Sequence, residues 1–104
     1  MYRDIPSKTK VGGQEIKVQK VDRVDDGCLG HCKLASGLIE IAEKYNRDEV
    51  VPHLVQLNTF YHELTHAILG TMGYSELNND ERFVCTFSSF LTEALTSTEY
   101  KKQA

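Results

Sequence analysis

The sequence predicts an α+β domain, a small antiparallel sheet of about three strands packed on one long helix that is followed by a second helix. Three observations carry that expectation. The first half of the chain alternates apolar and polar residues, as a half-buried strand does, whereas the second half repeats its apolar residues at the three- and four-residue spacing of a helix face. The change of period falls at the polar run Asn46, Arg47 and Asp48. A chain of 104 residues supplies one hydrophobic core and therefore one domain.

Residues 1–13 are polar, include Pro6 and the pair Gly12 and Gly13, and read as a flexible amino-terminal arm able to pair along a sheet edge. The domain proper is expected over 14–98, with 99–104 as a tail. From Glu15 to Asp25, Ile16 and Val18 alternate with Glu15, Lys17 and Gln19, and Val21 and Val24 then shift the phase, as in a strand carrying a bulge. Asp25, Asp26 and Gly27 supply a turn. A second run from Cys28 to Leu34, then Ser36 and Gly37, leads into LIEIAE, where Ile39 and Ile41 alternate with Glu40 and Ala42. These segments form a hairpin or a three-stranded meander.

The long helix is expected from about Val51 to Met72, with Leu54, Leu57, Tyr61, Leu64 and Ile68 as its buried stripe. Pro52 fits its first turn and Gly73 its end. YSELNNDE makes a polar connection in which Asn78 or Asn79 can cap the second helix. Phe83, Phe87, Phe90, Leu91 and Ala94 form that helix's stripe and are expected to pack on Leu57, Leu64 and Ile68, and the helix frays after about Ser97.

Composition narrows the function classes. With 26% charged residues and a net charge of -3, the chain has no cationic surplus for a nucleic-acid backbone. It has no apolar run of secretory-signal or transmembrane length, so no membrane partner is expected. Three cysteines are an odd number and too few for a disulfide framework, which fits a reducing, cytoplasmic setting. The oligomeric state is not legible.

The chemistry is carried by HELTH. His62 and His66, four residues apart, lie about 40° apart around a helix axis and about one turn along it, so both imidazoles can reach one ion. Glu63 points elsewhere, within reach of a water on that ion but poorly placed as its ligand, and is therefore the candidate general base. One zinc per chain, held by two imidazoles and a carboxylate, keeps a position for water and polarises a scissile carbonyl. Chance placement on a solvated helix face is the competing reading, and the position of the motif inside a long amphipathic helix argues against it. No histidine follows His66, so the third ligand is expected from a carboxylate on the next helix. Glu81 is the choice, with Asp80 or Glu93 as substitutes. Asn78 followed by Glu81 also reads as a capping box, in which the carboxylate only bonds backbone N–H groups.

HELTHAILGTMG followed by NNDERFVCTFSSFL resembles the core of small gluzincin-type zinc metallopeptidases, among them miniature phage-encoded forms and the ImmA/IrrE-like peptidases. The resemblance runs from about Val51 to Leu95. It implies His62, His66 and Glu81 as zinc ligands and Glu63 as base. In the ImmA/IrrE-like group an alanine follows the third-ligand glutamate, where this chain has Arg82.

Other groups read more plainly. Cys28, His31 and Cys32 show no obvious fourth ligand for a closed zinc site, and the two cysteines read as free thiols in or near a strand. His53 reads as an exposed first-turn residue, and Tyr74 is a candidate oxyanion donor or a packing residue. Two functions from different classes follow. One is a zinc endopeptidase binding a peptide or protein substrate along an exposed strand, LIEIAE or its partner. The other is a zinc-stabilised, non-catalytic binding or regulatory module.

Overall fold

A computed structural model describes residues 2–101. The strands are β1 (Lys8–Val11), β2 (Gln14–Val21), β3 (Gly30–Lys33) and β4 (Leu38–Ala42), followed by α1 (His53–Met72), the single-turn α2 (Ser75–Asn78) and α3 (Glu81–Ser97). The architecture is α+β, with a four-stranded sheet against α1, and α3 packed on α1. Residues 102–104 of the expected tail lie outside the described residues.

The sheet departs from the expected meander in two ways. It has four strands rather than about three, because the supposed arm contributes β1, which pairs antiparallel with β2 through a turn at Gly12 and Gly13. Both turn residues have positive φ, 59° and 83°, the conformation that a two-residue hairpin demands and glycine supplies without strain. The remainder of the arm is tied down as well. Arg3 Nε donates to Thr96 O at 2.9 Å, and His53 Nε2 donates to Arg3 O at 2.6 Å.

The strand order is β1-β2-β4-β3, with β2 and β4 parallel and β3 and β4 antiparallel. The reason is burial. Placing β4 inside the sheet removes Ile39 and Ile41 from water altogether, alongside Ile16 of β2, which an edge position would not do. The phase shift read as a bulge marks the end of β2 at Val21, beyond which Val24 is buried from a loop. One face of the sheet carries Ile16, Val18, Ile39 and Ile41 onto Leu57, Phe60, Tyr61 and Ala67 of α1.

Helix α1 starts at His53, after Pro52, and stops at Gly73, whose left-handed backbone lets its N–H reach the last carbonyls. Its burial is broader than the expected stripe. Leu57 and Tyr61 are buried and Leu64 is partly so, but Leu54 and Ile68 are exposed, while Gln56, Thr59, Phe60, Glu63, Thr65, Ala67 and Leu69 are also buried. A helix covered by a sheet and a second helix need not be strongly amphipathic. Its threonines pay no polar penalty, because Thr59 and Thr65 donate to the carbonyls of Val55 and Tyr61 four residues back, at 2.8 and 2.7 Å.

Helix α3 overturns the expected aromatic stripe. Its buried side is Val84, Ser88 and Thr92, with Leu91 and Leu95 partly buried, whereas Phe87 and Phe90 are 47% and 66% exposed. Small side chains let α3 approach α1 closely. The Thr92 hydroxyl shares its proton between Ser88 O at 2.7 Å and Asn58 Oδ1 of α1 at 3.0 Å. Phe83 and Phe87 stack on each other, with ring centroids 5.7 Å apart.

Candidate metal centre

The site is built where the middle of α1 meets the first turn of α3. The cap of α3 is neither Asn78 nor Asn79 but Asp80, whose Oδ1 accepts from Phe83 N at 3.1 Å. Asp80 is engaged as the cap, and Glu81 is relieved of capping and becomes the first residue of the helix. Its carboxylate turns to α1, with Oε2 3.5 Å from His62 Nε2 and Oε1 3.0 Å from His66 Nε2. Glu93 lies twelve residues further along α3, about 18 Å at the rise of a helix, beside His53 and Arg3.

Two ligand atoms about 2.1 Å from a tetrahedral zinc stand about 3.4 Å apart. The separations of 3.5 and 3.0 Å bracket that value, so each imidazole stands at ligand spacing from one oxygen of Glu81. The two imidazoles themselves meet edge to face, with centroids 5.0 Å apart. Among the described residues, one group of metal-ligating atoms lies mutually within 4.8 Å: a nitrogen of His62, an oxygen of Glu81 and the sulfur of Cys85. His66 stands outside that mutual set but shares the same carboxylate through its other oxygen. A His–Glu–Cys cluster of this kind can hold a metal ion.

Asn78 fixes the tautomer of His66. Its Oδ1 accepts from His66 Nδ1 at 2.7 Å, which leaves Nε2 as the ring atom that faces Glu81. A ring nitrogen held 3.0 Å from a carboxylate oxygen needs a proton or a cation between the two. A carbonyl-type oxygen behind a ligating imidazole is the usual outer support of a metal site.

Glu63 is 8% exposed. Burial pushes its carboxyl up to about 7, with Glu81 adding to the rise and His66 opposing it. His62 is shifted down, first by burial and then by His66, against the pull of Glu81. The depth of Glu63 is set by Gly30 of β3. A Cβ there would stand 2.5 Å from Thr59 Cγ2 and 3.1 Å from Glu63 Cγ, so only glycine lets the strand lie this close to the helix.

A cleft of about 320 Å³ runs between residues 28–30 on one side and Asn58, Thr59, His62 and Glu63 of α1 on the other. A polar depression of about 500 Å³ continues from it past Cys28 and Leu29 toward Tyr45 and Arg47. The strand bordering the cleft is β3, and β4, the LIEIAE segment, is internal, so the edge is the partner of LIEIAE. Ala42 N donates to Leu29 O, and in an antiparallel ladder bonded pairs alternate with unbonded ones. Gly30 and Cys32 therefore turn their N–H and C=O groups to the free edge.

The remaining candidates add no ligand to the cluster. Tyr74 is exposed beyond the end of α1 and does not line the cleft. Cys28, His31 and Cys32 form no metal group; Cys28 is exposed, and Cys32 packs partly into the core, where burial, and secondarily Glu63, raises its thiol to about 11. Sequence reasoning missed Asn78, Cys85 and Asn58. The four-residue step from Glu81 to Cys85 was a legible signal for the second of these, and Asn58, one turn before His62, was legible for the third.

No family model, curated protein or solved structure matches the chain. Among the described residues no helix is long and apolar enough to cross a membrane.

Proposed function

We propose that this chain is a zinc-dependent metallopeptidase of minimal gluzincin type, with His62, His66 and Glu81 as ligands and Glu63 as general base. The observation that carries the reading is the Glu81 carboxylate set between the Nε2 atoms of both histidines, at 3.5 and 3.0 Å, next to a buried carboxyl that is not part of the donor set. When bound, zinc supplies Lewis acidity that makes a water acidic near neutral pH and polarises a peptide carbonyl. Glu63, raised to about 7, takes up the proton of the attacking water and returns it to the departing amine, a task that favours a group titrating near the working pH. Asn78 keeps His66 oriented. Asn58, its Oδ1 held by Thr92, has its amide nitrogen left to donate to a carbonyl in the cleft. The substrate is an extended peptide or protein segment added along β3, where the free backbone groups of Gly30 and Cys32 bond its main chain.

The test is elemental analysis after exhaustive dialysis, run on wild type, His66→Ala and Glu63→Gln, with casein cleavage measured in parallel. About one zinc per chain is expected in wild type and Glu63→Gln, and much less in His66→Ala. Cleavage in wild type should be sensitive to chelators and fall by about 10²–10⁴-fold in Glu63→Gln. A wild type that takes up no zinc even on refolding with the metal, or a Glu63→Gln variant as active as wild type, overturns the reading.

A further inference from the structure

We infer that Cys85 is a fourth ligand of this centre and that its thiolate holds the position a reacting water needs, so that the chain rests in a closed, latent state. The inference depends on the metal reading of His62, His66 and Glu81. Cys85 follows Glu81 by four residues on α3, so the two side chains share a helix face. The buried side of α3 is Val84, Ser88 and Thr92; Cys85 is exposed and has no packing role to explain it. Its sulfur is nonetheless within 4.8 Å of both a nitrogen of His62 and an oxygen of Glu81. In a tetrahedral zinc site, sulfur stands about 3.6 Å from neighbouring nitrogen and oxygen ligands. Rotation of an exposed side chain about its χ1 angle covers the difference.

Two imidazoles, a carboxylate and a thiolate complete four-coordination, the condition of structural zinc sites, whereas catalytic sites keep one position open. Closing the site, the thiol would lose its proton to solvent and its sulfur lone pair would displace the water from the fourth position; opening it, water would return to that position and the sulfur would regain a proton from solvent, with no change of oxidation state. The other cysteines do not compete in the same way. Cys32 faces the core, and Cys28 lines the far wall of the cleft, which makes Cys28 the natural control.

The experiment is cobalt(II) substitution of wild type, Cys85→Ser and Cys28→Ser, read by absorption. The expected result is tetrahedral d–d bands in all three, together with a near-ultraviolet thiolate-to-cobalt charge-transfer band that is lost only in Cys85→Ser. Acetohydroxamate, added as a probe of an open position, should then perturb the d–d bands of Cys85→Ser at about tenfold lower concentration than those of wild type, the factor that follows if sulfur holds the position nine-tenths of the time. Tetrahedral d–d bands without a charge-transfer band in wild type, a band that survives in Cys85→Ser, or equal acetohydroxamate affinities would each overturn the inference while leaving the metal site standing. A wild type that binds no cobalt would overturn the site itself.

Discussion

Replacing Asn78 by alanine removes a single contact, the Oδ1 that accepts from His66 Nδ1 at 2.7 Å, and leaves every proposed zinc ligand in place. Loss of such an outer partner weakens metal binding by about 10–100-fold. The consequence can be worked through linkage. At free zinc one hundred times the wild-type Kd, binding stabilises the fold by about 2.7 kcal/mol; with Kd raised 10–100-fold, the gain falls to about 0.4–1.4 kcal/mol. For a chain of 104 residues, each kcal/mol moves Tm by about 4 °C. The zinc-induced rise in Tm should therefore shrink from about 11 °C to about 2–6 °C. Thermal melts at fixed free zinc, buffered by a chelator, measure this directly. Asn78→Asp keeps an acceptor at the same place and should retain the full rise. An Asn78→Ala variant with the wild-type rise would refute the claim that this amide orients His66 for a metal, and so would an equal loss in Asn78→Asp.

Three further outcomes are expected. Gly30→Ala puts a methyl 2.5 Å from Thr59 Cγ2, an overpacking that should cost about 1–3 kcal/mol in urea unfolding and also lower turnover, since the same methyl crowds Glu63; an unchanged urea midpoint would count against the close approach of β3 to α1. In metal-free protein, Glu63 is pushed up to about 7 from an ordinary 4.5, so the folded state holds more protons than the unfolded between those values and stability is lost as pH rises through that window. Glu63→Gln should accordingly be more stable than wild type at pH 8 in the presence of chelator and lose that advantage near pH 4, a comparison that urea midpoints at the two pH values would settle. Mass spectrometry after brief alkylation of metal-free protein at pH 8 should find two labels, on the exposed Cys28 and Cys85, because Cys32, raised to about 11, is only about one-thousandth thiolate there; prompt labelling of Cys32 would show that it is not buried as described.

The elements legible in the sequence were those in which local signals agree. Pro52 and Gly73 bracket α1, and HELTH lies within it at a spacing that a helix converts into convergence. Glu81 could be nominated from its place at the start of the next helix. What separates it from Asp80, however, is which of the two carboxylates caps α3, and that depends on the path of the chain through α2. The parallel pairing of β2 with β4 was not legible, because alternation states which face a residue takes and not which strand lies beside it. The orientation of α3 was misjudged for a different reason. Ser88 and Thr92 look like surface residues, yet their hydroxyls are satisfied by carbonyls of their own helix, so burying them costs little and lets two helices meet closely. Once those small residues face inward, Phe87 and Phe90 are left outside.

The strap formed by Arg3, His53 and Thr96 has a practical consequence. It brings the two ends of the described chain together, with the Tyr2 and Tyr100 hydroxyls 3.5 Å apart, beside the start of α1 and the end of α3. Glu81 lies at the opposite end of α3, about 24 Å away at the rise of a helix. A circular permutant that joins these ends by a short linker should therefore preserve the cleft. Its new termini belong away from Asn46 and Arg47, which line the depression that continues from the cleft.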